Sequence, residues 1–228
     1  MREETRVTKD NVIRNPRSTS SHTHTVFLVD DDASVRRALT RLIKSAGHQV
    51  QAFSSAREFL DTVPQMAGPA CLVLDIRMPG LSGIDLQRQL QATSSTLPII
   101  FITGHGDIPL SVEVMKAGAV DFLPKPVQDA DLLRAIKEAH AKAVRERTRQ
   151  EELDDIQSRE AKLTPREREV MALVVRGLLN KQSAFELGTV EKTIKVHRAR
   201  VMEKMQVGSL AELVRVAEKV GIPPKNEQ

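Results

Sequence analysis

From Val26 to about residue 140, short apolar runs alternate with stretches whose apolar residues recur every three or four positions. The runs are Val26–Val29, Val50–Phe53, Cys71–Leu74, Leu97–Ile102 and Ala119–Leu123. Each is too short for a helix and reads as a strand buried in a parallel sheet. Helices fill the gaps. The first carries Val35, Leu39, Leu42 and Ile43 on one stripe and stops at Gly47, a residue suited to the left-handed turn after a helix. The second opens with Ser55 and Glu58 at capping-box spacing, and the third follows Ser82 with Leu86 and Leu90 inward. The fourth runs from about Pro109 to Gly118, and the fifth begins near Asp129 with Leu132, Leu133 and Ile136. This βα repeat predicts an α/β domain: a doubly wound, five-stranded parallel sheet with helices on both faces.

Beyond Ile136 the helical spacing persists while the apolar stripe fades into a charged stretch, 145–155, without Gly or Pro. Two readings stay open, a solvated helix or linker over 143–160 and a dimeric coiled coil, whose heptads lapse across 145–152. A second, smaller all-α domain of four helices is expected over 161–228. Thr164, Pro165 and Glu167 mark its start as N-cap, first-turn proline and capping-box partner. Helices are predicted over 164–177, Lys181 to Leu187 and Glu191 to Met205, with Gly188 and Thr189 turning between the last two. That order is a helix-turn-helix. A further helix carries Leu210, Leu213 and Val214.

Charge sharpens the division. The 228 residues carry a net +4, distributed as +2 over 1–24, −2 over 25–140, −1 over 141–160 and +5 over 161–228. An acidic larger domain and a basic smaller one suggest different partners, the basic one suited to phosphate backbones. Residues 1–24 are polar and aperiodic and read as a disordered arm, its His22 and His24 as incidental. The single cysteine, Cys71, excludes an internal disulfide and a zinc site built from cysteines. No apolar run spans a bilayer and no signal peptide is evident, so a cytoplasmic protein without membrane contact is expected. Trp and Tyr are absent, which disfavours base stacking as a binding mode.

Polar residues interrupt the strands at their carboxyl ends: Asp30 and Asp31 after the first, Asp75 at the third, Thr103 at the fourth and Lys125 after the fifth. Those ends line one crevice of an open α/β sheet, where ligands bind. Polar strand ends commonly just meet solvent, but these groups would converge. Three carboxylates together repel unless a cation lies between them, and an all-oxygen set selects Mg²⁺. A carboxylate beside Mg²⁺ can accept a phosphoryl group, with Lys125 and Thr103 placed to neutralise and hydrogen-bond it.

Val29-Asp30-Asp31, Leu74-Asp75-Ile76-Arg77-Met78-Pro79-Gly80, Ile102-Thr103-Gly104 and Leu123-Pro124-Lys125-Pro126 resemble, in order, the receiver domain of bacterial two-component response regulators, over roughly 25–140. The resemblance implies a flavodoxin-like fold and Asp75 as phosphoacceptor. It implies Mg²⁺ held by Asp31, Asp75 and the Arg77 backbone carbonyl, with Asp30 acting through a water. It further implies a cis Lys125–Pro126 bond and Phe122 as the aromatic switch, although Phe122 is also an ordinary core residue. Asp32 reads as surface. Arg77 and His105 lie near the crevice, where they would influence phosphate lifetime.

The basic helix carries Lys192, Lys195, Arg198, Arg200 and Lys204 around its non-core faces. Leu163 to Val170, Gly177 to Lys181, Glu191 to Arg198 and Met202 to Met205 resemble the LuxR-type DNA-binding domain, and the whole chain resembles the FixJ-like branch of the NarL/FixJ regulators. By that resemblance Lys195 and Val196 meet base edges, while Thr193, His197 and Lys181 approach phosphates. Ala199 stands where a longer polar contact is common. The last helix fits a dimerising role, though core packing accounts for part of its stripe. The function implied is a non-enzymatic response regulator, phosphorylated on Asp75 by a sensor histidine kinase. It would then dimerise, bind double-stranded promoter DNA and act on RNA polymerase as an activator. A haloacid-dehalogenase-type phosphatase requires Asp-x-Asp-x-Thr, where Asp75 is followed by Ile-Arg-Met-Pro. A constitutive DNA-binding protein with an inactive receiver predicts no phosphate uptake.

Overall fold

The computed structural model describes residues 24–62, 68–93, 95–104 and 108–222. Of the arm expected over 1–24 only His24 lies within them, and His105 lies outside. The elements run β1 Thr25–Val29, α1 Ala33–Ser45, β2 Gln49–Phe53, α2 Ala56–Thr62, β3 Ala70–Asp75, α3 Gly83–Ala92, β4 Ile99–Thr103, α4 Ile108–Lys116, β5 Asp121–Pro124 and α5 Asp129–Ala161. Then follow α6 Pro165–Val175, α7 Asn180–Glu186, α8 Glu191–Met205 and α9 Leu210–Lys219. All five strands are parallel, in the order β2-β1-β3-β4-β5. The chain reverses its direction of winding between β1 and β3, and this is the point where Asp30 and Asp75 emerge.

Strand alternation sorts the core into two layers. Phe27, Val29, Leu72, Leu74 and Phe101 pack with Phe59 of α2, Leu86 of α3 and Val114 of α4. Val26, Leu28, Cys71, Val73, Ile100 and Ile102 pack on the other face with Leu39 and Ile43 of α1 and Leu132 and Ile136 of α5. Every residue of β3 is buried, as expected of a central strand covered on both sides. Asp32 is exposed, as read, and it also caps α1: its Oδ1 accepts from the Ser34 and Val35 N–H groups at 2.6 and 3.3 Å. At α2 the capping box is offset. Ser55 Oγ accepts from the Glu58 N–H, but the Glu58 carboxylate reaches back to the N–H and hydroxyl of Ser54.

The charged stretch after Ile136 is helical and continuous with the receiver-like layer, because α5 runs 33 residues without a break. Its solvated character has an exception. Ile156 is buried in the third core, with Val170, Met171 and Val174 of α6, Ile194 and Val201 of α8 and Leu213 of α9. Arg159 also donates to the Met205 carbonyl at 3.0 Å, so the end of α5 is built into the helical bundle.

A capping box also links two helices of that bundle. Thr164 Oγ1 accepts from the Glu167 N–H and the Glu167 carboxylate accepts from the Thr164 N–H at 2.8 Å, while Lys204 of α8 donates to the same carboxylate at 2.6 Å. The Lys204 ammonium and the Thr164 N–H hold the Glu167 carboxyl down at about 2, from an ordinary 4.5. A depressed carboxyl stabilises the fold fully above its unfolded value and loses that contribution as pH falls through its folded value. Glu167→Ala is therefore expected to destabilise the bundle by about 1 kcal/mol at pH 7, as loss of a helix cap does. The difference from the parent chain should shrink between pH 4.5 and 2, as thermal unfolding across that range will read.

Candidate functional site

The crevice forms because strand ends cannot continue their ladders and instead present carboxylates and donors. Asp30, Asp31 and Asp75 come together with one carboxylate oxygen of each within 4.8 Å of the others. Asp30 is fully buried, Asp75 is nearly so and Asp31 faces solvent. Lys125 bridges the two buried carboxylates, its Nζ donating to Asp75 Oδ2 at 2.6 Å and Asp30 Oδ2 at 2.8 Å. The remaining oxygens are also committed. Asp75 Oδ1 accepts from the Arg77 N–H at 3.2 Å, and Asp30 Oδ1 accepts from the Asp32 N–H at 2.8 Å.

Burial pushes the Asp30 carboxyl above its ordinary range, and the Lys125 ammonium and the Asp32 N–H only partly pull it back. Burial alone would push Lys125 down, but its contacts with Asp30 and Asp75 reverse that and hold it above its ordinary value. One ammonium thus faces three carboxylates. The deficit of positive charge and the oxygen-only ligand set fit a hard divalent cation of the Mg²⁺ type.

Thr103 is fully buried at the end of β4, and its backbone carbonyl accepts from the Lys125 N–H at 2.6 Å. The Lys125–Pro126 bond is cis. Phe122 is half-buried against the layer that contains Val114 of α4. On α4, Val112 and Met115 are 46% and 43% exposed, an apolar pair next to the exposed Lys116.

One contributor to the crevice was missed in the sequence, where a glycine one residue after a serine cap gives little sign of its role. Gly83 opens α3 against the backbone that leaves Asp75, donating its N–H to the Ile76 carbonyl at 3.0 Å. A Cβ there would lie 2.3 Å from the Asp75 carbonyl oxygen. Only glycine lets α3 approach the phosphoacceptor candidate this closely.

On the basic bundle, Lys192, Lys195, Val196 and Arg200 of α8 are exposed, whereas Thr193, His197 and Arg198 are half-buried. Lys195 pairs with Glu191 one turn earlier at 2.9 Å. Arg198 donates to Asn180 Oδ1 at 3.4 Å, tying α8 to the start of α7, where Lys181 is exposed. Lys204 differs from the other basic residues of α8 because it is turned inward to Glu167 and the Lys162 carbonyl. Its position in the sequence does not distinguish it from them. Leu179, Phe185 and Val190 are 69%, 88% and 64% exposed around the same helices, so the surface is less uniformly polar than its charge suggests. On α9, Leu213 is buried in the bundle core and Val214 partly so, leaving Leu210 as the exposed member of that stripe.

Comparison with known proteins decides the family. Residues 26–137 match the response regulator receiver domain, and residues 161–217 match the bacterial regulatory proteins of the luxR family. Nodulation protein W of Bradyrhizobium diazoefficiens is 51% identical over 198 residues, 86% of each chain. The chain belongs to the two-component response regulators. The transcriptional regulatory protein FixJ of the same organism is 46% identical to this regulator over 86% of the chain and 96% of its own length. The response regulator StyR superposes on it with a TM-score of 0.76 at 50% identity, over 86% of this chain and 99% of that one. Full-length FixJ from B. japonicum gives 0.52 at 46% identity, over 87% and 97%. This places the regulator among FixJ-like transcriptional response regulators, which are not enzymes, and implies a histidine kinase partner and DNA binding. Among the described residues no helix is long and apolar enough to cross a membrane.

The contact at Gly83 generates a prediction for the isolated regulator. Gly83→Ala should lower stability by about 1–3 kcal/mol in urea unfolding, the usual cost of overpacking. It should also disturb the backbone at Asp75, visible as shifted amide resonances of Asp75 and Ile76.

Proposed function

We propose that this regulator is switched by phosphorylation of Asp75, and that the modified form dimerises, binds promoter DNA through α8 and activates transcription through RNA polymerase. In this reading residues 25–142 are the receiver, 143–160 the linker and 161–228 the DNA-binding domain. The observation that carries it is the Lys125 ammonium held between the Asp75 and Asp30 carboxylates at the carboxyl edge of the sheet. An Asp75 oxygen attacks the phosphorus of a phosphohistidine on the kinase: the O–P bond forms, the N–P bond breaks and the imidazole leaves. Lys125 then pairs with the phosphoryl group, and the Thr103 hydroxyl donates to one of its oxygens. Asp31, Asp75 and the Arg77 carbonyl, with Asp30 acting through a water, would hold Mg²⁺, which would neutralise the phosphoryl charge.

As Thr103 is drawn toward the phosphoryl group, Phe122 fills the space it leaves and the α4–β5 surface repacks. The exposed Val112 and Met115, with Lys116, then form the dimer face. Coupling of this kind is typically worth about 1–3 kcal/mol, or roughly 5–150-fold in affinity. On DNA, Lys195 and Val196 meet base edges. Lys181, Lys192, Thr193, His197, Arg198 and Arg200 serve the phosphates and hold the register.

Asp75→Asn should abolish uptake of phosphate from a small acyl-phosphate donor, and chelation of Mg²⁺ should abolish it in the parent chain. Label retained on Asp75→Asn would move the nucleophile to another carboxylate, and no uptake by the parent chain would favour a constitutive DNA binder. Sedimentation at matched concentrations should show dimers only in the phosphorylated sample. A phosphorylated monomer with raised DNA affinity would sink the dimer mechanism.

Base readers and phosphate contacts are separable. Lys195→Ala should cost about 1–3 kcal/mol on the preferred site and less on random DNA. Lys181→Ala should weaken both alike. Equal losses on the two DNAs for Lys195→Ala would remove it from the base readers.

A further inference from the structure

At the amino edge of the sheet, opposite the carboxylates, three imidazoles and the only thiol of the chain meet. The strand register brings them there. Thr25 of β1 pairs with Gln49 of β2, so His24 and His48, each one residue earlier, lie side by side, and the Gln49 N–H donates to the His24 carbonyl at 3.0 Å. His24 is two residues before Val26, His48 two before Val50 and Cys71 two before Val73. Those three valines all belong to the layer under α5. Period-two alternation therefore turns all three side chains toward α5, which contributes His140. Along the sequence His24 stands in a polar tail beside His22; across the sheet it stands beside His48.

The His24 and His140 rings stack, their centroids 4.5 Å apart and their planes 20° from parallel, while the His48 centroid lies 5.1 Å from that of His140 and 6.3 Å from that of His24. Imidazoles sharing one tetrahedral ion at ordinary bond lengths have centroids about 5 Å apart. Cys71 Sγ and His140 Nε2 are hydrogen-bonded at 3.4 Å, a separation also close to the roughly 3.5 Å between sulfur and nitrogen ligands on one such ion. His140 is nearly buried and also hydrogen-bonds the backbone of Thr25, the kind of outer contact that orients a ligating histidine. The His24 Nδ1 is buried without a hydrogen-bond partner. We infer that His24, His48, His140 and Cys71 form a binding site for one transition-metal dication of the zinc class, distinct from the carboxylate site.

The protonation chemistry is compatible. Burial and the neighbouring His24 and His48 push His140 down to about 4, and burial with His24 lowers His48, so both are neutral at pH 7 and offer lone pairs. Burial pushes the Cys71 thiol up to about 12, so binding must displace its proton to solvent, one per ion bound. The ligand atoms of the four residues are not drawn together as the rings stand, so binding requires the half-buried His24 and His48 rings to turn toward the Cys71–His140 pair.

The test uses the untagged full chain, stripped with a chelator and titrated with Co²⁺ beside a His48→Gln variant. That variant keeps every carboxylate, so binding at the acidic crevice is common to both and cancels. The parent should take up one additional equivalent with a tetrahedral cobalt spectrum and a thiolate charge-transfer band, displaced by one equivalent of Zn²⁺. His48→Gln should weaken this binding at least tenfold, and Cys71→Ser, which keeps the side chain's size, should remove the charge-transfer band. Uptake and spectra identical in the parent and His48→Gln, or a parent spectrum without the thiolate band, would overturn the assignment.

Discussion

The receiver half of the regulator depends on a charge imbalance that the fold creates and does not itself resolve. Asp30 and Asp75 are buried side by side because two central strands of a parallel sheet must end at the same edge. Lys125 reaches both, and with Asp31 in the same cluster the local charge remains negative. A buried carboxylate without a partner is costly, so the lysine is a structural requirement of this edge. The same imbalance selects for positive charge and for ligands rich in oxygen. A group carrying new negative charge into the crevice would draw on the same lysine, and through it on the position of β5.

The bundle half uses a different constraint. Its small core, around Met171, Ile194 and Val201, is closed at one end by Ile156 from α5 and at another by the Lys204–Glu167 contact. Lys204 is thereby withdrawn from the surface that the other basic residues of α8 share. The charge of a helix overstates its available charge when one of its lysines is serving an internal cap.

Much of this was legible in the sequence because the signals are local. Strand runs, the Gly47 stop, the Thr164–Glu167 box and the polar strand ends each lie within a few residues, and the structure places each near where the pattern put it. What was not legible depends on register or on distance through space. Asp32 reads as one more surface acid until the N–H groups of α1 are seen to bond it. Gly83 has no distinguishing context until α3 is packed on the Asp75 carbonyl. Ile156 stands alone in a charged stretch, where a single apolar residue makes no stripe. The histidines are separated by 24 and 92 positions, and only parallel pairing of β1 with β2 aligns the first two.

The continuity of α5 sets how movement can pass between the two halves. Thirty-three residues at 1.5 Å each make a rod about 50 Å long, and neither Gly nor Pro interrupts it. One end is buried under β3 through Leu132, Ile136 and Ala139, and the other is anchored in the bundle by Ile156 and Arg159. Such a rod transmits tilt and twist with little loss, as a lever does. A tilt of about 5° at the sheet would carry the far end roughly 4 Å, comparable with a turn of helix. A change in the seating of the near end would therefore reach the bundle as a swing about the sheet, with its angle set by the side chains packed there.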